Sequence, residues 1–407
     1  MSSDDPVGII ELGNVTISCL IFKIVNNSNS EILSTSITPS VGIYNDVVVN
    51  LTKAANAIRL CISSAEEKAK ISLKKIHVIF EQPDFLCTKF SKQKKIDGSK
   101  IYRDDIEFLL KEGKKQLVLN DKNQSIIHIF NHNYIVDGKT FVEEPIGIYA
   151  DSLTHEMTFI TAPKNNLKNI NQAFISCDIE IGRLISRTFV LGTKLLNEKE
   201  LQFGSVLINL GFEKISLGLF KNLALVHSFT LPIGINHITK DISKVCSLDL
   251  DESETIRNNI DFSFQNNQNL FDESDYLKNN YFINTNFRKI SKKLIFSVIK
   301  ARLDEIFYAL KKQLIIPGFS SNSGINFLLT GEGSNLFNLE KYCVNLFGAN
   351  VKRIDNNIEE DKYLEKNFIS SLGALKIIKE GWETEAIPKP VNKNVEKTGL
   401  LSKIFGN

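Results

Sequence analysis

The chain is 407 residues long, which is enough for two or three domains that each bury a hydrophobic core. Its composition, with 43% apolar and 24% charged residues, is that of a globular protein and excludes both wholesale disorder and a polytopic membrane protein. The 49 basic and 47 acidic residues nearly cancel, so no overall field attracts nucleic acid, and a charged partner has to be recognised locally.

The cysteines and the first residues indicate a cytoplasmic protein. The six cysteines stand singly, without a CxxC pair or a histidine at ligand spacing, so we expect reduced, mostly buried thiols and no metal site. The acidic N-terminus leads directly into an apolar strand, which is unlike a signal peptide. No apolar run approaches the roughly 18 residues that span a bilayer. We therefore expect a protein that is not exported.

The first predicted elements form a hairpin that recurs about two hundred residues later. An apolar strand carries Glu11 near its end, a turn follows at Gly13 and Asn14, and a second strand continues to residue 22. Residues 205–220 repeat this plan, with Asn209 two residues before Gly211. A polar side chain at the end of an apolar strand usually faces a cleft, because burying it unpaired is costly. The two hairpins predict two similar halves that face one site.

Between the hairpins, residues 76–164 combine short strands with one helix predicted at 103–117, which indicates a compact α+β insertion. Beyond the second hairpin we predict a helix at 239–246 and a long amphipathic helical pattern within 287–313. The apolar stripe of that pattern is typical of core packing.

A third glycine turn follows the apolar strand that begins at residue 325. It contains Gly331, Glu332, Gly333 and Ser334 and leads into a helix predicted to end near residue 347. Backbone N–H groups at such a turn can face a phosphate or a nucleoside, and Ser334 is a natural N-cap for the helix.

The C-terminal segment has a different character. Residues 386–398 contain two prolines and no periodicity, which predicts a flexible linker. In residues 399–407, Lys403 lies on the polar side of a helical wheel, and the apolar side comprises Leu400, Leu401, Ile404 and Phe405. Because so short a helix is not stable in water, we predict that it forms on a membrane surface. The alternatives are a frayed end or an end docked on its own domain.

In these features the chain resembles FtsA, an actin-like cell-division family that tethers the FtsZ polymer to the inner face of the bacterial membrane. The resemblance extends over nearly the whole chain and includes, beyond the glycine turns, residues 126–138, 144–147, 153–161, 169–170, 196–200, 232–242, 253–257 and 302–307. The insertion and the terminal amphipathic helix are its specific parts, because sugar kinases and Hsp70-like ATPases share only the nucleotide fold.

The resemblance implies an α/β, actin-like fold with two ribonuclease-H-like halves, ATP with Mg²⁺ in the cleft between them, and head-to-tail filaments. It divides the chain into 1–80 with 165–200 as the first half, 81–164 as an inserted SHS2-like α+β subdomain, 201–240 with 322–385 as the second half, 241–321 as a helical subdomain, 386–398 as the linker and 399–407 as the membrane-targeting helix.

The resemblance also assigns site residues, one position at a time. The phosphate turns comprise Glu11, Gly13, Asn14 and Thr16 in the first half and Asn209 and Gly211 in the second, followed by Gly234 in a later turn. Glu254 and Arg257 approach the ribose and base, and Gly331, Gly333 and Ser334 form the adenosine turn. The membrane contacts are Leu400, Leu401, Lys403, Ile404 and Phe405. No catalytic residue and no metal ligand is assigned.

The sequence departs from the family pattern where phosphate chemistry would take place. Glu11 replaces an aspartate, Thr16 replaces a lysine or serine, and Asn209 cannot supply a carboxylate. Larger residues replace small or glycine residues at Phe212, Glu213, Lys214, Ile235 and Glu332. Phosphoryl transfer needs charge held on Mg²⁺ and an oriented water. We therefore predict that ATP with Mg²⁺ binds weakly and that hydrolysis is poor or lost.

The resemblance implies a protein that assembles with itself on the cytoplasmic face of the inner membrane at midcell, binds the C-terminal peptide of FtsZ and recruits later division proteins, without nucleic acid. In the family the FtsZ contact lies on the helical subdomain, which makes Arg302 and Glu305 candidates. One alternative is an adaptor similar to PilM of pilus assembly, against which the terminal helix argues. Another is a working ATPase or sugar kinase, against which Asn209 argues.

Overall fold

The computed structural model of the chain describes residues 5–25, 29–141, 143–260, 274–315, 325–336, 338–348, 350–354 and 362–380. The predicted linker at 386–398 and the predicted membrane-targeting helix at 399–407 lie outside these residues. None of the helices within the described ranges combines the length and the apolar character that a membrane crossing requires.

The strands in chain order are β1 (Val7–Leu12), β2 (Thr16–Ile24), β3 (Ser30–Pro39), β4 (Ile43–Tyr44), β5 (Val47–Val48), β6 (Lys75–Phe80), β7 (Leu86–Lys100), β8 (Gln124–Val136), β9 (Lys139–Phe141), β10 (Tyr149–Pro163), β11 (Glu180–Ser186), β12 (Ser205–Leu210), β13 (Ile215–Lys221), β14 (Ala224–Leu231), β15 (Asn326–Thr330) and β16 (Val351–Arg353). The helices are α1 (Leu51–Ala69), α2 (Arg103–Asn120), α3 (Lys164–Ile175), α4 (Arg187–Leu195), α5 (Glu198–Phe203), α6 (Ile235–Cys246), α7 (Leu250–Asn259), α8 (Lys292–Gln313), α9 (Leu339–Phe347), α10 (Lys362–Asn367) and α11 (Ile369–Glu380).

Each half contains a five-stranded sheet, and the two sheets share one topology. The strand order is β11-β6-β1-β2-β3 in the first half and β16-β15-β12-β13-β14 in the second. In each sheet the first three strands form an antiparallel meander, and two further strands add in parallel beside the first strand. The predicted duplication is therefore confirmed.

The two predicted hairpins also agree in register and burial. Glu11 lies opposite Ser18, and Asn209 lies opposite Ser216, in each case one pair before the last pair of the ladder. Glu11 and Asn209 are partly exposed, and all the remaining residues of β1 and β12 are buried. A central strand covered on both faces is expected to be continuously apolar. The one partly exposed residue in each strand therefore marks where the sheet meets the cleft.

Helices α4 and α11 pack on each other and join the halves. Helix α4 also packs on β13 of the second sheet, and α11 packs on β1 of the first. Lys194 of α4 forms a 2.7 Å ion pair with Glu365 of α10, and the ammonium of Lys376 donates to the Thr193 carbonyl at 2.9 Å. The cleft between the sheets therefore has a closely packed base.

The inserted subdomain is a four-stranded sheet in the order β7-β10-β8-β9, with α2 packed on it. It follows β6 and contacts the second half as well as the first. The hydroxyl of Thr158 on β10 donates to the Val226 carbonyl on β14 at 3.2 Å, and the Asn222 amide donates to Asn133 at 2.6 Å. The insertion therefore packs along an edge of the second sheet.

Most predicted helices are present, with shifted ends. The helix predicted at 103–117 continues to Asn120, the one predicted at 239–246 begins at Ile235, and α8 covers most of the pattern within 287–313.

The predicted N-cap role of Ser334 is wrong. Its hydroxyl donates to the Gly331 carbonyl at 2.7 Å inside a 3₁₀ turn, and α9 begins only after Asn338.

The six cysteines are free thiols. Four are buried, and Cys87 and Cys177 are half-buried, which agrees with the expected role as small core residues. Burial raises the pKa of the Cys87 thiol to about 12, so this thiol stays protonated near neutral pH.

Candidate functional site

A cavity of about 820 Å³ lies between the two halves, where the three glycine turns meet. Eight of the predicted contacts line it: Glu11, Gly13, Asn14, Thr16, Asn209, Gly211, Gly331 and Ser334. The other predicted contacts, Gly234, Glu254, Arg257 and Gly333, are not among the described residues that line this cavity. The cavity thus brings together the residues predicted for the two phosphate turns, but only two of the three predicted for the adenosine turn.

Each of the two predicted phosphate turns is closed by a backbone hydrogen bond of the same kind. The Gly13 N–H donates to the Thr16 carbonyl at 3.1 Å, and the Gly211 N–H donates to the Lys214 carbonyl at 3.1 Å. These two amides are therefore used within their own turns, and neither is directed at a ligand.

Asp46 lies beside the first turn and is fully buried. It belongs to the two-residue turn between β4 and β5, where Asn45 and Asp46 have φ of 49° and 57°. Two positive φ angles define a type I′ hairpin turn, which asparagine and aspartate tolerate better than most residues. The Glu81 N–H donates to the Asp46 carboxylate at 2.7 Å. The tight turn thus fixes a carboxylate beneath the cleft.

Two cations converge on this carboxylate from different halves. Nη2 of Arg187, the first residue of α4, lies 3.1 Å from Oδ2 of Asp46, and Nζ of Lys214, in the second phosphate turn, lies 2.6 Å from Oδ1. Nε of Arg187 also donates to Oε1 of Glu11 at 2.5 Å. Asp46 therefore links the second phosphate turn to the first half.

Glu81 completes this cluster at the end of β6. Its carboxylate accepts from the Ser186 hydroxyl at 2.9 Å, the Thr188 N–H at 2.8 Å and the Thr230 hydroxyl at 3.2 Å, and its carbonyl accepts from Lys214. Since Thr230 lies on β14, Glu81 also bridges the halves. We call Glu11, Asp46, Glu81, Arg187 and Lys214 the charge cluster.

Burial and pairing act in opposite directions on the two cations. Burial lowers the pKa of Lys214 to about 8, although the Asp46 carboxylate opposes this shift, so Lys214 is mostly a cation at neutral pH. Burial also acts to lower the pKa of Arg187, but the carboxylates of Asp46 and Glu11 raise it above its usual value. The cluster therefore holds two positive charges among three carboxylates.

The phosphate side of the cleft does not fit a Mg²⁺ nucleotide. Mg²⁺ binds through carboxylate oxygens, directly or through its waters, but Oε1 of Glu11 is paired with Arg187, and the two oxygens of Asp46 are paired with Arg187 and Lys214. Asn209 supplies no carboxylate. Within the described ranges, no group of three or more His, Cys, Asp or Glu side chains is arranged to hold a metal ion.

The nucleoside side is filled by side chains of the protein. A Cβ atom on Gly333 would lie 2.2 Å from Cγ2 of Ile235, so this isoleucine packs directly against the predicted adenosine turn. Arg257 is 2% exposed, and its Nη1 donates to the Thr239 hydroxyl at 2.7 Å and to the Ile235 carbonyl at 3.3 Å. Its Nη2 donates to Glu254 at 3.0 Å. Arg257 therefore joins α7 to α6, away from the cavity.

Glu213 also has partners within the second half. Its carboxylate accepts from the Asn236 amide at 2.6 Å and lies 3.4 Å from Nζ of Lys240. The replacement of a small residue by Glu213 thus adds a contact to the first turns of α6.

Asp46, Glu81 and Arg187 were not identified from the sequence. Glu81 directly follows the apolar strand β6, which is a signal similar to that of Glu11 near the end of β1, whereas Arg187 follows β11, which is less apolar. Asp46 gives the weaker signal of an Asn-Asp pair between short apolar segments, which predicts a turn but not a buried carboxylate.

Gly331 provides a local test of this geometry. Its φ of 85° and ψ of 170° are accessible almost only to glycine, and an added Cβ would lie 2.4 Å from Oδ1 of Asn209. We expect Gly331→Ala to lower the free energy of unfolding by about 3 kcal/mol, as measured by urea denaturation. Gly348→Ala is the matched control, because Gly348 has a φ of 63° and no atom within 4 Å of the added Cβ. Equal losses in both variants would contradict the close contact.

The chain matches two family models. One is described as the SHS2 domain inserted in FTSA and matches residues 86–161, and the other is described as cell division protein FtsA and matches residues 206–373. Together the two matches span more than half of the chain. A cell division protein FtsA from Agrobacterium fabrum is 21% identical over 360 residues, which cover 85% of this chain and 80% of that protein.

Solved structures also resemble this chain. A structure of the PilM-PilN type IV pilus biogenesis complex matches with a TM-score of 0.62 and 14% identity, covering 91% of this chain and 98% of the matched one. MreB5 of Spiroplasma citri bound to ADP matches with a TM-score of 0.53 and 12% identity, covering 93% of this chain and 98% of the MreB5 chain. At these identities the matches establish the fold alone. The predicted actin-like fold class is confirmed.

Proposed function

Because the chain belongs to the FtsA family of cell division proteins, we propose that it assembles on the cytoplasmic face of the bacterial inner membrane and tethers the FtsZ ring there. The observation that carries this proposal is the inserted subdomain, which matches the SHS2 domain inserted in FTSA. Its sheet joins both halves in the described structure and is not a detached module.

We propose that the protein turns ATP over poorly or not at all. The charge cluster supports this, since the cleft carboxylates are engaged by Arg187 and Lys214. Arg187 adds a fixed cation to the lining of the cleft, whereas orienting a water for attack on phosphate calls for a hydrogen-bond acceptor. The protein would therefore act through assembly and binding.

The proposed FtsZ contact lies on α8, beside α6. Arg302 donates to both carboxylate oxygens of Asp241 on α6, at 2.6 and 3.0 Å, and also to Glu305 at 2.5 Å. Arg302 therefore serves first to hold α8 against α6. The side chain of Glu305 is 53% exposed, which makes it the more accessible of the two predicted contacts.

The proposed contact between subunits lies on the inserted subdomain. Tyr102 and Tyr149 are 60% and 68% exposed. The backbone N–H of Ile101 donates a hydrogen bond to the Ile148 carbonyl at 2.8 Å, so the two segments that carry these tyrosines lie side by side. Exposed aromatic side chains in one patch are typical of protein–protein contacts. The patch supports self-assembly through the insertion.

The membrane contact is tested at the C-terminal segment. Each buried apolar side chain contributes about 1.5–3 kcal/mol to membrane binding. A filament carries many such helices, so weak binding of each one adds up to strong binding of the filament through avidity. We therefore expect the double variant Leu401→Glu with Phe405→Glu to bind anionic liposomes more than tenfold more weakly than the wild type, as measured by co-sedimentation. The matched control, Ser402→Glu with Gly406→Glu, adds the same charge on the opposite side of the predicted helix and should keep most of the binding.

Deletion of residues 399–407 should have the same effect as the double variant. Undiminished liposome binding by the truncated chain would contradict the membrane anchor. It would instead favour an adaptor that reaches the membrane through a partner.

A further inference from the structure

We propose that Arg187 and Lys214 are resident cations that take the place of Mg²⁺ between the phosphate turns and keep the two halves closed without a nucleotide. This goes beyond the proposed function, because a membrane tether could equally well be controlled by nucleotide binding. The proposal rests on three features of the cleft.

The first feature is the position of the two charges. Arg187 contacts Glu11 and Asp46, while Lys214 extends from the second half to Asp46 and to the Glu81 carbonyl. A metal bound with a nucleotide would supply two positive charges between the same two turns. Here the protein supplies two positive charges itself, one from each half, and they meet on one carboxylate.

The second feature is burial. Asp46 is 0% exposed, Glu81 1%, Arg187 8% and Lys214 9%. A buried ion pair that loses one partner leaves an uncompensated charge in a medium of low dielectric constant, which is far more costly than separating a surface pair. A triphosphate that drew Arg187 or Lys214 away from Asp46 would leave such an uncompensated charge, so the state in which the two cations join the halves is the stable one.

The third feature is the opposite end of the cleft. The side chain of Ile235 is 3% exposed and packs against Gly333, and the guanidinium of Arg257 binds the backbone and side chain of α6. Contacts that a nucleoside would make are thus replaced by contacts within the second half. At both ends of the cleft, the cationic side chains are bound by groups of the protein itself.

Hydrogen–deuterium exchange of the full-length protein tests this proposal. In the wild type, the amides of residues 11–16 and 209–214 should exchange slowly, and Mg²⁺ with ATP at millimolar concentration should change their rates less than twofold. In Lys214→Met, which keeps most of the length of the unbranched side chain but removes its charge, both segments should exchange at least tenfold faster. Lys244→Met is the matched control at an exposed position of α6, and it should leave both segments unchanged.

Two outcomes would overturn the proposal. One is strong protection of the wild-type turns by Mg²⁺ with ATP, accompanied by binding of a fluorescent ATP analogue at micromolar concentration that EDTA abolishes. The other is slow exchange of both turns in Lys214→Met. If Lys214→Met does not fold, Lys214→Arg keeps the charge and should retain slow exchange, and the wild-type measurement still decides whether Mg²⁺ and ATP close the cleft.

Discussion

Replacing Asp46 by asparagine is expected to lower the free energy of unfolding by about 3–5 kcal/mol, which is the usual loss when one partner of a buried ion pair is removed. The carboxylate of Asp46 is buried between Arg187 and Lys214. Asparagine has nearly the same shape and tolerates the positive φ of 57° at this position. The variant therefore removes the charge and leaves the turn intact.

Urea denaturation at neutral pH measures this loss. Asp97→Asn is the matched control, because Asp97 also has a positive φ, 52°, but is exposed. We expect the control to change the free energy of unfolding by less than about 0.5 kcal/mol. Adding Lys214→Met to Asp46→Asn should restore part of the loss, since one unpaired cation is then removed. A loss no larger than that of the control would mean that the charge cluster does not join the halves.

The second large effect is expected at Glu252, in the first turn of α7. Its fully buried carboxylate accepts from the backbone N–H groups of Ile283, Asn284 and Thr285 at 2.7, 2.7 and 2.9 Å. It also accepts from the Thr285 hydroxyl at 2.9 Å and from the Asp249 N–H at 3.1 Å. This one side chain therefore caps α7 and holds the segment 283–285 on it.

Burial alone would raise the pKa of Glu252, but the N–H groups of Thr285, Asn284 and Asp249 lower it from the usual 4.5 to about 2. Because the pKa is lower in the folded state, the stabilisation is complete above about pH 4.5 and is lost as the pH falls towards 2. We expect Glu252→Gln to cost about 3 kcal/mol at pH 7, and its stability should depend less on pH between 5 and 3 than that of the wild type.

Urea midpoints at pH 7, 5 and 3 measure both effects at Glu252. Asp251→Asn, a change at the exposed neighbouring acid in the same turn, should alter neither the midpoint at pH 7 nor its pH dependence appreciably. Parallel pH profiles for wild type and Glu252→Gln would contradict the assignment of the low pKa to this carboxylate.

The duplicated architecture was predictable because it depends on strand periodicity and on glycine turns, which are local in sequence. The polar residues Glu11 and Asn209 at equivalent places in apolar strands, together with the third glycine turn at 331–334, led to the prediction that two halves face one cleft. The ion pairs across the cleft were not predictable. Asp46, Glu81, Arg187 and Lys214 are far apart in the sequence, and which charge pairs with which depends on how the two halves pack.

The nucleoside side shows a second limit of the sequence. From the resemblance we predicted that Arg257 and Glu254 approach a nucleotide, but in the structure Arg257 is turned towards Thr239 and the Ile235 carbonyl. A motif match conveys the residue type but not the rotamer. Ile235 fills space that a glycine at this position would leave open, since its Cγ2 packs directly against Gly333.

Co-sedimentation of FtsZ with anionic liposomes tests the central claim most directly. FtsZ, the full-length protein and liposomes are mixed with and without Mg²⁺ and ATP, and the FtsZ in the pellet is quantified. We predict that FtsZ pellets with liposomes when the protein is present, to the same extent with and without Mg²⁺ and ATP, and that it stays in the supernatant when residues 399–407 are deleted. FtsZ that remains in the supernatant with the full-length protein, or pellets only with Mg²⁺ and ATP, would contradict a tether that works without a nucleotide.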